Sequence, residues 1–311
     1  MSSSPLRLGI DLGGTKIEAA AVATDGEVVA RIRRPNPGSY DALLETVATL
    51  VEAVEAETGQ RFARVGVGVP GSISPVSGLM RNANSVWLNG LPLHDDLERR
   101  LERPVRVAND ANCMALSEAM DGAGADGAVV FAIILGTGCG GGLVVNGGLI
   151  QGRNGVAGEW GHTSLPWPTA EEAPGPACWC GLHGCLETWV SGTGLQRDHL
   201  ARTGQALGAE QIVAAARAGE AGARRSLDLC TDRLGRAIAM VVNLIDPDAI
   251  VVGGGLSNVA ELYDALPPIV QRHAFTDAWN GVIAPARWGD SSGVRGAARL
   301  WPSRPATETA A

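Results

Sequence analysis

The chain has 311 residues, a formal net charge of -8 and an isoelectric point near 5.2. Its 45% hydrophobic and 19% charged content is typical of a globular protein, and the length is sufficient for two domains. The acidic balance argues against a nucleic-acid partner, and no apolar run approaches the roughly 20 residues of a membrane helix. Six cysteines are too few for a disulfide scaffold, and the start lacks a signal-peptide pattern. We therefore expect a cytoplasmic protein.

The first part of the chain predicts a β-β-β-α-β unit. Apolar runs separated by glycine-containing turns predict three antiparallel strands over 6–12, 16–22 and 27–33. Apolar residues at helical spacing predict a helix over 41–57, and 65–69 has the composition of a buried strand. A further extended segment ends at Asn109 and Asp110, where a helix begins.

A similar order of elements starts again near residue 128. The run 128–135 predicts a strand, GTGCGGG a turn and LVVNGGLI a second strand. Later patterns predict a helix over 227–244, a strand over 249–252 and, after three glycines, a helix over 259–270. Two glycine turns that each join apolar strands indicate a duplicated unit. We expect a smaller first domain over 1–118, completed by 292–303, a larger second domain over 119–291, and a frayed tail over 304–311.

The two glycine turns have the composition of phosphate-binding loops. GTGCGG satisfies G-x-G-x-x-G, but that fingerprint must open a helix and here a strand follows, while GGTK lacks the P-loop spacing. Glycines nevertheless let backbone N–H groups approach phosphate oxygens, and threonine adds a hydroxyl donor. We predict that a nucleotide is bound by both turns and by the later glycines, through Asp11, Gly13, Gly14, Thr15, Lys16, Gly136, Thr137, Gly138, Gly140, Gly141, Gly253, Gly254 and Gly255.

Three charged residues of these regions have more than one interpretation. Asp11 could hold Mg²⁺, directly or through water, or it could cap its turn. Lys16 is the one lysine among 25 cationic residues and would place a fixed positive charge near phosphates. Asp110 could cap the helix that it starts, or accept a hydroxyl proton as the oxygen attacks a γ-phosphate. The position favours the base, because ligands of open α/β sheets gather beyond the carboxyl ends of strands.

Several other polar residues stand in unusual places along the chain. Amide and carboxylate side chains in such a set suit a polyhydroxylated ligand, because hydroxyl groups both donate and accept hydrogen bonds. Each of them could equally cap a loop, so the prediction depends on the whole set. Its members are Asn82, Asn84, Glu159, His162 and Glu187.

The stretch CWCGLHGCLE carries three cysteines with the spacing C-x-C-x₄-C. This is neither the redox C-x-x-C nor a paired zinc-knuckle pattern. Three thiolates leave a tetrahedral Zn²⁺ one ligand short, and His162 is freer to complete the set than His183, which lies inside the loop. Buried free thiols and a redox pair are the alternatives. The glycine-rich loop, which is short of core residues, favours a structural zinc site made by His162, Cys178, Cys180 and Cys185.

Taken together, these motifs resemble one family, the ROK family of sugar kinases and sugar-responsive repressors. The resemblance rests on DLGGTK, ILGTGCGGGLVVNGGLIQGRNGVAGEWGH, CWCGLHGCLE and VVGGGLSN, which follow in order across nearly the whole chain. Three further stretches look like bacterial fructokinases of the manno(fructo)kinase type. They are GSISPVSGLMRNANSVWLNG, AGEWGHTSLPW and WGDSSGVRGAARLWP.

The resemblance implies an actin/hexokinase-like ATPase fold with two α/β domains flanking a cleft, and a homodimer. It implies that Asp110 is the catalytic base, that the glycine turns hold ATP, and that His162 with the three loop cysteines binds structural zinc. If His162 binds zinc through one ring nitrogen, only its other nitrogen can reach a sugar. The implied sugar contacts are Asn84, Asn109, Asp110, Glu159, His162 and Glu187.

We therefore expect an ATP- and Mg²⁺-dependent hexose kinase that phosphorylates the 6-hydroxyl of fructose. Glucose, mannose and N-acetylglucosamine are alternative substrates, since the sequence does not show which hydroxyls each amide contacts. A non-catalytic sugar-sensing repressor is less favoured, because the first predicted strand begins near residue 6 and the charge balance is acidic. A zinc hydrolase would need an open coordination position, which three cysteines and His162 would close.

Overall fold

The computed structural model describes residues 5–301. Its strands are β1 (Arg7–Leu12), β2 (Lys16–Val22), β3 (Val28–Pro35), β4 (Val65–Val69), β5 (Ser72–Ile73), β6 (Met80–Arg81), β7 (Val105–Asn109), β8 (Val129–Leu135), β9 (Cys139–Val145), β10 (Gly148–Ile150), β11 (Ala249–Gly253) and β12 (Val282–Pro285). Its α-helices are α1 (Tyr40–Thr58), α2 (Leu93–Leu101), α3 (Asp110–Asp121), α4 (Glu187–Val190), α5 (Gly192–Thr203), α6 (Ala209–Arg217), α7 (Ala221–Ile245), α8 (Glu261–His273) and α9 (Ser292–Ala298). None of the helices within this range combines the length and the apolar character that a membrane crossing requires.

The chain divides into two compact units. Among the described residues, the first contains 5–121, the segment 151–156 and 290–301, and the second contains 122–150 and 157–289. The predicted second domain, 119–291, includes 151–156, whereas this division places that segment in the first unit. This segment contacts the first unit through Arg81, whose Nη2 donates to the Asn154 carbonyl at 2.7 Å. The predicted tail over 304–311 and residues 302–303 of the predicted C-terminal segment lie outside the described residues.

Each unit is built on a five-stranded mixed sheet of the same design. The strand order is β3-β2-β1-β4-β7 in the first unit and β10-β9-β8-β11-β12 in the second. In both sheets the first, second and third strands of this order pair antiparallel with one another. The third strand, which is central, and the two strands after it pair parallel. The predicted α/β class and its repeated unit are therefore confirmed.

Helices cover the first sheet with apolar faces. In α1, Leu43, Val47, Leu50 and Val54 recur at helical spacing and are all buried. The C-terminal helix α9 packs directly on β1 and β4, although it lies far from them in sequence. A Cβ atom at Gly66 would lie 1.8 Å from the Ala297 carbonyl oxygen, so glycine is what permits this close approach.

The second glycine turn is shorter than the sequence analysis predicted. Most of GTGCGGG belongs to β9, which pairs with β8 from Cys139 to Val145. The run LVVNGGLI is not a single strand, because a hairpin divides it into the end of β9 and β10. Asn146 and Gly147 occupy this turn with φ of 50° and 73°. An Asn-Gly pair is the usual signal for such a two-residue hairpin, and the prediction of one continuous strand was wrong here.

Candidate functional site

The turn between β1 and β2 carries the first set of predicted phosphate contacts. Asn36 holds its carbonyl groups, since Asn36 N donates to Thr15 O at 2.9 Å and Asn36 Nδ2 to Gly13 O at 2.8 Å. Gly14 and Thr15 are exposed, and a Cβ atom on Gly14 would meet nothing within 4 Å. The Lys16 ammonium lies 3.4 Å from Asp290 Oδ2. Hydrogen bonds from Asn36 thus hold one side of the turn, while Gly14 at its tip is exposed.

Asp11 is a carboxylate in surroundings that are already negative. Burial raises the pKa of Asp11 to about 7, and the carboxylates of Asp110 and Glu18 add to this rise. The N-terminal end of α9 lies close to Asp11, since a Cβ atom on Gly293 would be 2.8 Å from Asp11 Oδ2. A bound cation would relieve the repulsion among these carboxylates, and hard oxygen ligands are what Mg²⁺ takes. The residues present therefore fit a magnesium site at Asp11.

Asp110 lies at the junction of β7 and α3 and is exposed. Its Oδ1 accepts a hydrogen bond from the Ala111 amide at 2.7 Å, and Asn109 Oδ1 accepts from the same amide at 2.8 Å. Asn109 Nδ2 also donates to the Gly71 carbonyl at 3.2 Å. Of the two bonds from the Ala111 amide, the one with the spacing of a helix cap, from the amide two positions on, is accepted by Asn109. The exposed carboxylate of Asp110 is accessible to a ligand, as the base interpretation requires.

A cavity of about 220 Å³ in the first unit adjoins Asn109. Asn112 also lines it, and no described residue provides a hydrogen-bond partner for its buried Oδ1. A buried polar atom without a partner costs about 1–3 kcal/mol, which a ligand hydroxyl or amide could offset. Asn112 was not predicted as a site residue, because no local sequence pattern marks a buried oxygen without a partner. Asn84 is exposed and does not line this cavity.

The second unit holds a larger cavity of about 720 Å³, the size of a small-molecule site. Three predicted nucleotide contacts line it, namely Gly136, Thr137 and Gly255. The helices α5 and α6 supply residues that the sequence analysis missed. These are Gly192, Thr193, Gln196, Gln211 and Arg217, together with Asn258 near the three glycines. Gly192 N donates to Gly136 O at 2.7 Å, and Thr193 Oγ1 donates to Thr137 O at 2.6 Å, so α5 fixes this turn.

The other predicted glycines of this region do not line the cavity. At three of these positions a larger residue would collide with neighbouring atoms, which explains why glycine is found there. A Cβ atom on Gly141 would lie 2.7 Å from the Gly158 carbonyl oxygen. Gly254 has a φ of 79° and would meet the Leu135 backbone at 2.6 Å. Gly138 leaves room for the Glu187 carboxylate, which a Cβ atom would approach to 2.6 Å. Gly140 and Gly253 lie within β9 and β11.

The four predicted metal ligands come together in the second unit. Their ligand atoms all lie within 4.8 Å of one another, with Cys178 Sγ 3.6 Å from His162 Nδ1 and Cys180 Sγ 3.6 Å from Cys185 Sγ. Tetrahedral zinc with Zn–S near 2.3 Å and Zn–N near 2.0 Å needs ligand separations of about 3.3–3.8 Å. The residues therefore fit zinc, and His162 presents Nδ1 to the cluster.

Glu187, which starts α4, is held at both of its carboxylate oxygens. Oε2 accepts a hydrogen bond from the Cys139 amide at 3.0 Å, and Oε1 accepts one from Trp179 Nε1 at 2.7 Å. Glu159 precedes the short 3-10 turn of His162 and accepts the His162 amide on its carbonyl at 3.2 Å. The second unit thus connects the metal ligands with Glu159 and Glu187 through short backbone and side-chain contacts.

Comparison with known proteins places this geometry in a family. The ROK family model matches residues 7–304. N-acetyl-D-glucosamine kinases from Pectobacterium atrosepticum and Vibrio cholerae are each 41% identical over 297 residues, which is 94% of this chain and 97% and 98% of theirs.

Solved structures agree with this. A ROK hexokinase from Thermus thermophilus is 32% identical with a TM-score of 0.85, covering 94% of this chain and 97% of that one. A ROK family glucokinase from Streptomyces griseus in complex with glucose and AMPPNP is 31% identical with a TM-score of 0.76, covering 95% and 99%. These matches confirm the predicted actin/hexokinase-like fold, and the chain belongs to the ROK family.

Proposed function

We propose that this chain is an ATP-dependent sugar kinase that phosphorylates the 6-hydroxyl of N-acetyl-D-glucosamine. The observation that carries the proposal is the 39–41% identity, over 94–96% of the chain, to proteins named N-acetyl-D-glucosamine kinase. The glucokinase complex with glucose and AMPPNP supports the coarser activity, phosphoryl transfer from ATP to a hexose. Fructose, the substrate that the sequence motifs suggested, has no support in the names of these relatives and stays a prediction.

In the proposed reaction, Asp110 accepts the proton of the sugar hydroxyl as its oxygen attacks the γ-phosphorus. We assign the sugar contacts to Asn84, Asn109, Glu159, His162 and Glu187. The cavity at Gly136, Thr137 and Gly255 is the proposed nucleotide site, and the β1–β2 turn with Lys16 is proposed to bind phosphates. Mg²⁺ held at Asp11 would neutralise charge on the phosphate oxygens.

A panel of sugars tests the substrate directly. ADP release would be measured with N-acetylglucosamine, glucose, mannose and fructose at saturating ATP. We expect the highest kcat/KM for N-acetylglucosamine. If fructose reacted best, the present proposal would be wrong and the prediction from the sequence motifs right.

The role of Asp110 is tested by D110N. This substitution keeps the shape of the side chain but removes its ability to take a proton, so turnover should fall by about 10²–10⁴ while sugar binding is largely retained. The matched control is D228N, an exposed aspartate on α7. Near-normal turnover in D110N would show that Asp110 is not the base.

The same variant separates an enzyme from a sugar-sensing protein of the same fold. A ROK family transcriptional regulator is 26% identical with a TM-score of 0.78, and this chain covers 76% of it. A repressor would bind sugar without releasing ADP in either the native or the D110N form.

We further propose a cytoplasmic homodimer, and light scattering after gel filtration should then give twice the chain mass of 32.0 kDa.

A further inference from the structure

Trp179 lies between two candidate metal ligands, Cys178 and Cys180, and exposes 61% of its surface. Its ring meets the His162 ring edge to face, with the centroids 4.9 Å apart and the planes at 89°. Its indole Nε1 donates to Glu187 Oε1 at 2.7 Å. An indole this exposed contributes little to a hydrophobic core, so burial of apolar surface does not explain its position.

The Trp179 indole completes the hydrogen bonding that orients Glu187. The Cys139 amide, at the start of β9, holds Oε2, and the indole holds Oε1. The remaining lone pairs of this half-buried carboxylate can accept hydroxyl groups from a ligand. With Oε1 released, the carboxylate could rotate about its last torsion, because rotation about such a terminal bond is only weakly restricted.

We propose that Trp179 is a positioning residue for sugar binding, which holds Glu187 in the orientation that accepts the sugar hydroxyls. The inference rests on the proposed function, in which Glu187 is a sugar contact. Because Trp179 stands between Cys178 and Cys180, the loop that carries the metal ligands also carries this orienting donor. The candidate metal site and the candidate sugar site, which already share His162, thereby gain a second connection through this hydrogen bond.

The test is W179F, which keeps an aromatic ring beside His162 but has no N–H to donate. A typical intramolecular hydrogen bond shifts a conformational equilibrium by about three- to tenfold, and we take this factor as the cost of reorienting Glu187 when the sugar binds. We expect the KM for the preferred sugar, and its Kd measured calorimetrically without ATP, to rise by that factor. The kcat, the KM for ATP and the zinc content should not change. W167F is the matched control, because Trp167 is also half exposed in this unit but stacks on His273.

A double-mutant cycle with E187A identifies the route of the effect. If Trp179 acts through Glu187, W179F should weaken sugar binding in the native background and have little further effect in E187A. An equal effect in both backgrounds, or loss of zinc in W179F, would overturn the inference. If E187A binds sugar normally, the proposed sugar contact itself is wrong. If E187A weakens binding and W179F does not, only the role of Trp179 fails.

Discussion

Asp11 is a residue that is unfavourable for the fold but useful for the reaction that we propose. Its carboxylate is desolvated and lies near Asp110 and Glu18, and these effects raise its pKa to about 7. A folded protein without a bound cation therefore retains a proton that the unfolded chain releases near the ordinary value of 3.8. The stability that comes from this proton is fully present below about 3.8 and is lost as the pH rises through about 7.

We predict that D11N stabilises the metal-free protein at pH 8, because asparagine cannot ionise there. The free energy of unfolding should rise by about 1–3 kcal/mol relative to the native chain at pH 8, with a smaller difference at pH 5. Urea unfolding at the two pH values measures this. Kinase activity should fall steeply in the same variant, because the proposed magnesium ligand is removed.

The exposed D228N variant provides the control, since it removes an equal charge from the surface of α7. Its stability should differ little from that of the native chain at either pH. A D11N variant that was less stable than the native protein at pH 8, or fully active, would contradict the account of Asp11.

For single residues, the sequence predicted the position within strands and helices better than the contacts with other parts of the chain. Asp110 stands at a strand end, as its position in the sequence suggested, but Asn112 was missed because its importance lies in a buried oxygen without a partner. Gly138, which the sequence predicts as a phosphate contact, also makes room for Glu187 in the structure. Both facts depend on contacts with distant parts of the chain, which local composition does not reveal.

Close contacts between α9 and the first sheet show why some glycines cannot be replaced. The Ala297 carbonyl lies where a Cβ atom of Gly66 would be, and the Val294 carbonyl would be 2.2 Å from one on Gly9. We predict that G66A raises the free energy of the folded state by about 3 kcal/mol or more, because backbone on both sides must move apart. The midpoint of urea unfolding measures this.

Gly14 supplies the matched control for G66A. A Cβ atom there has no neighbour within 4 Å, and Gly14 does not need a positive φ, so G14A should unfold near the native midpoint. If G66A were as stable as G14A, the packing of α9 on β4 would be looser than the structure shows.

Helices with a strong apolar periodicity were predicted well. Features that depend on tertiary contacts were not. The predicted helix over 41–57 corresponds to α1, and the predicted helix over 227–244 lies inside the longer α7. The hairpin at Asn146 was overlooked although the Asn146-Gly147 pair signals it, because the apolar residues on both sides were read as one strand. The contribution of α5 and α6 to the large cavity of the second unit could not be predicted, because it depends on how these helices pack within the unit.

For the molecule as a whole, the long loop between His162 and Glu187 is the least regular described segment. It contains only isolated bridges, and no helix or strand. A buried ionic cluster holds its middle, where burial would raise the pKa of Glu172 but hydrogen bonds from Arg236 and Arg233 outweigh this and lower the pKa to about 2. The cysteine part of the loop has no such cluster, and a metal bound there would supply the missing constraint.

We predict about one zinc per chain in the purified protein, and its loss in C180S. Serine is a poor zinc ligand, so the cysteine part of the loop should loosen and the thermal midpoint should fall. The KM for sugar should rise, because the same loop carries the indole that holds Glu187. Metal analysis, thermal unfolding and sugar titration measure these three effects on one preparation.

The control is a substitution of Cys230, a buried cysteine of α7 that lies outside the metal cluster. It distinguishes the effect of losing the metal from the effect of losing a cysteine. C230A should keep its zinc and its sugar affinity even if its stability falls through the cavity left in the core. An active native preparation without zinc would refute the metal site. A C180S variant that lost zinc but kept full sugar affinity would instead show that the loop holds its shape unaided, and that the metal serves stability alone.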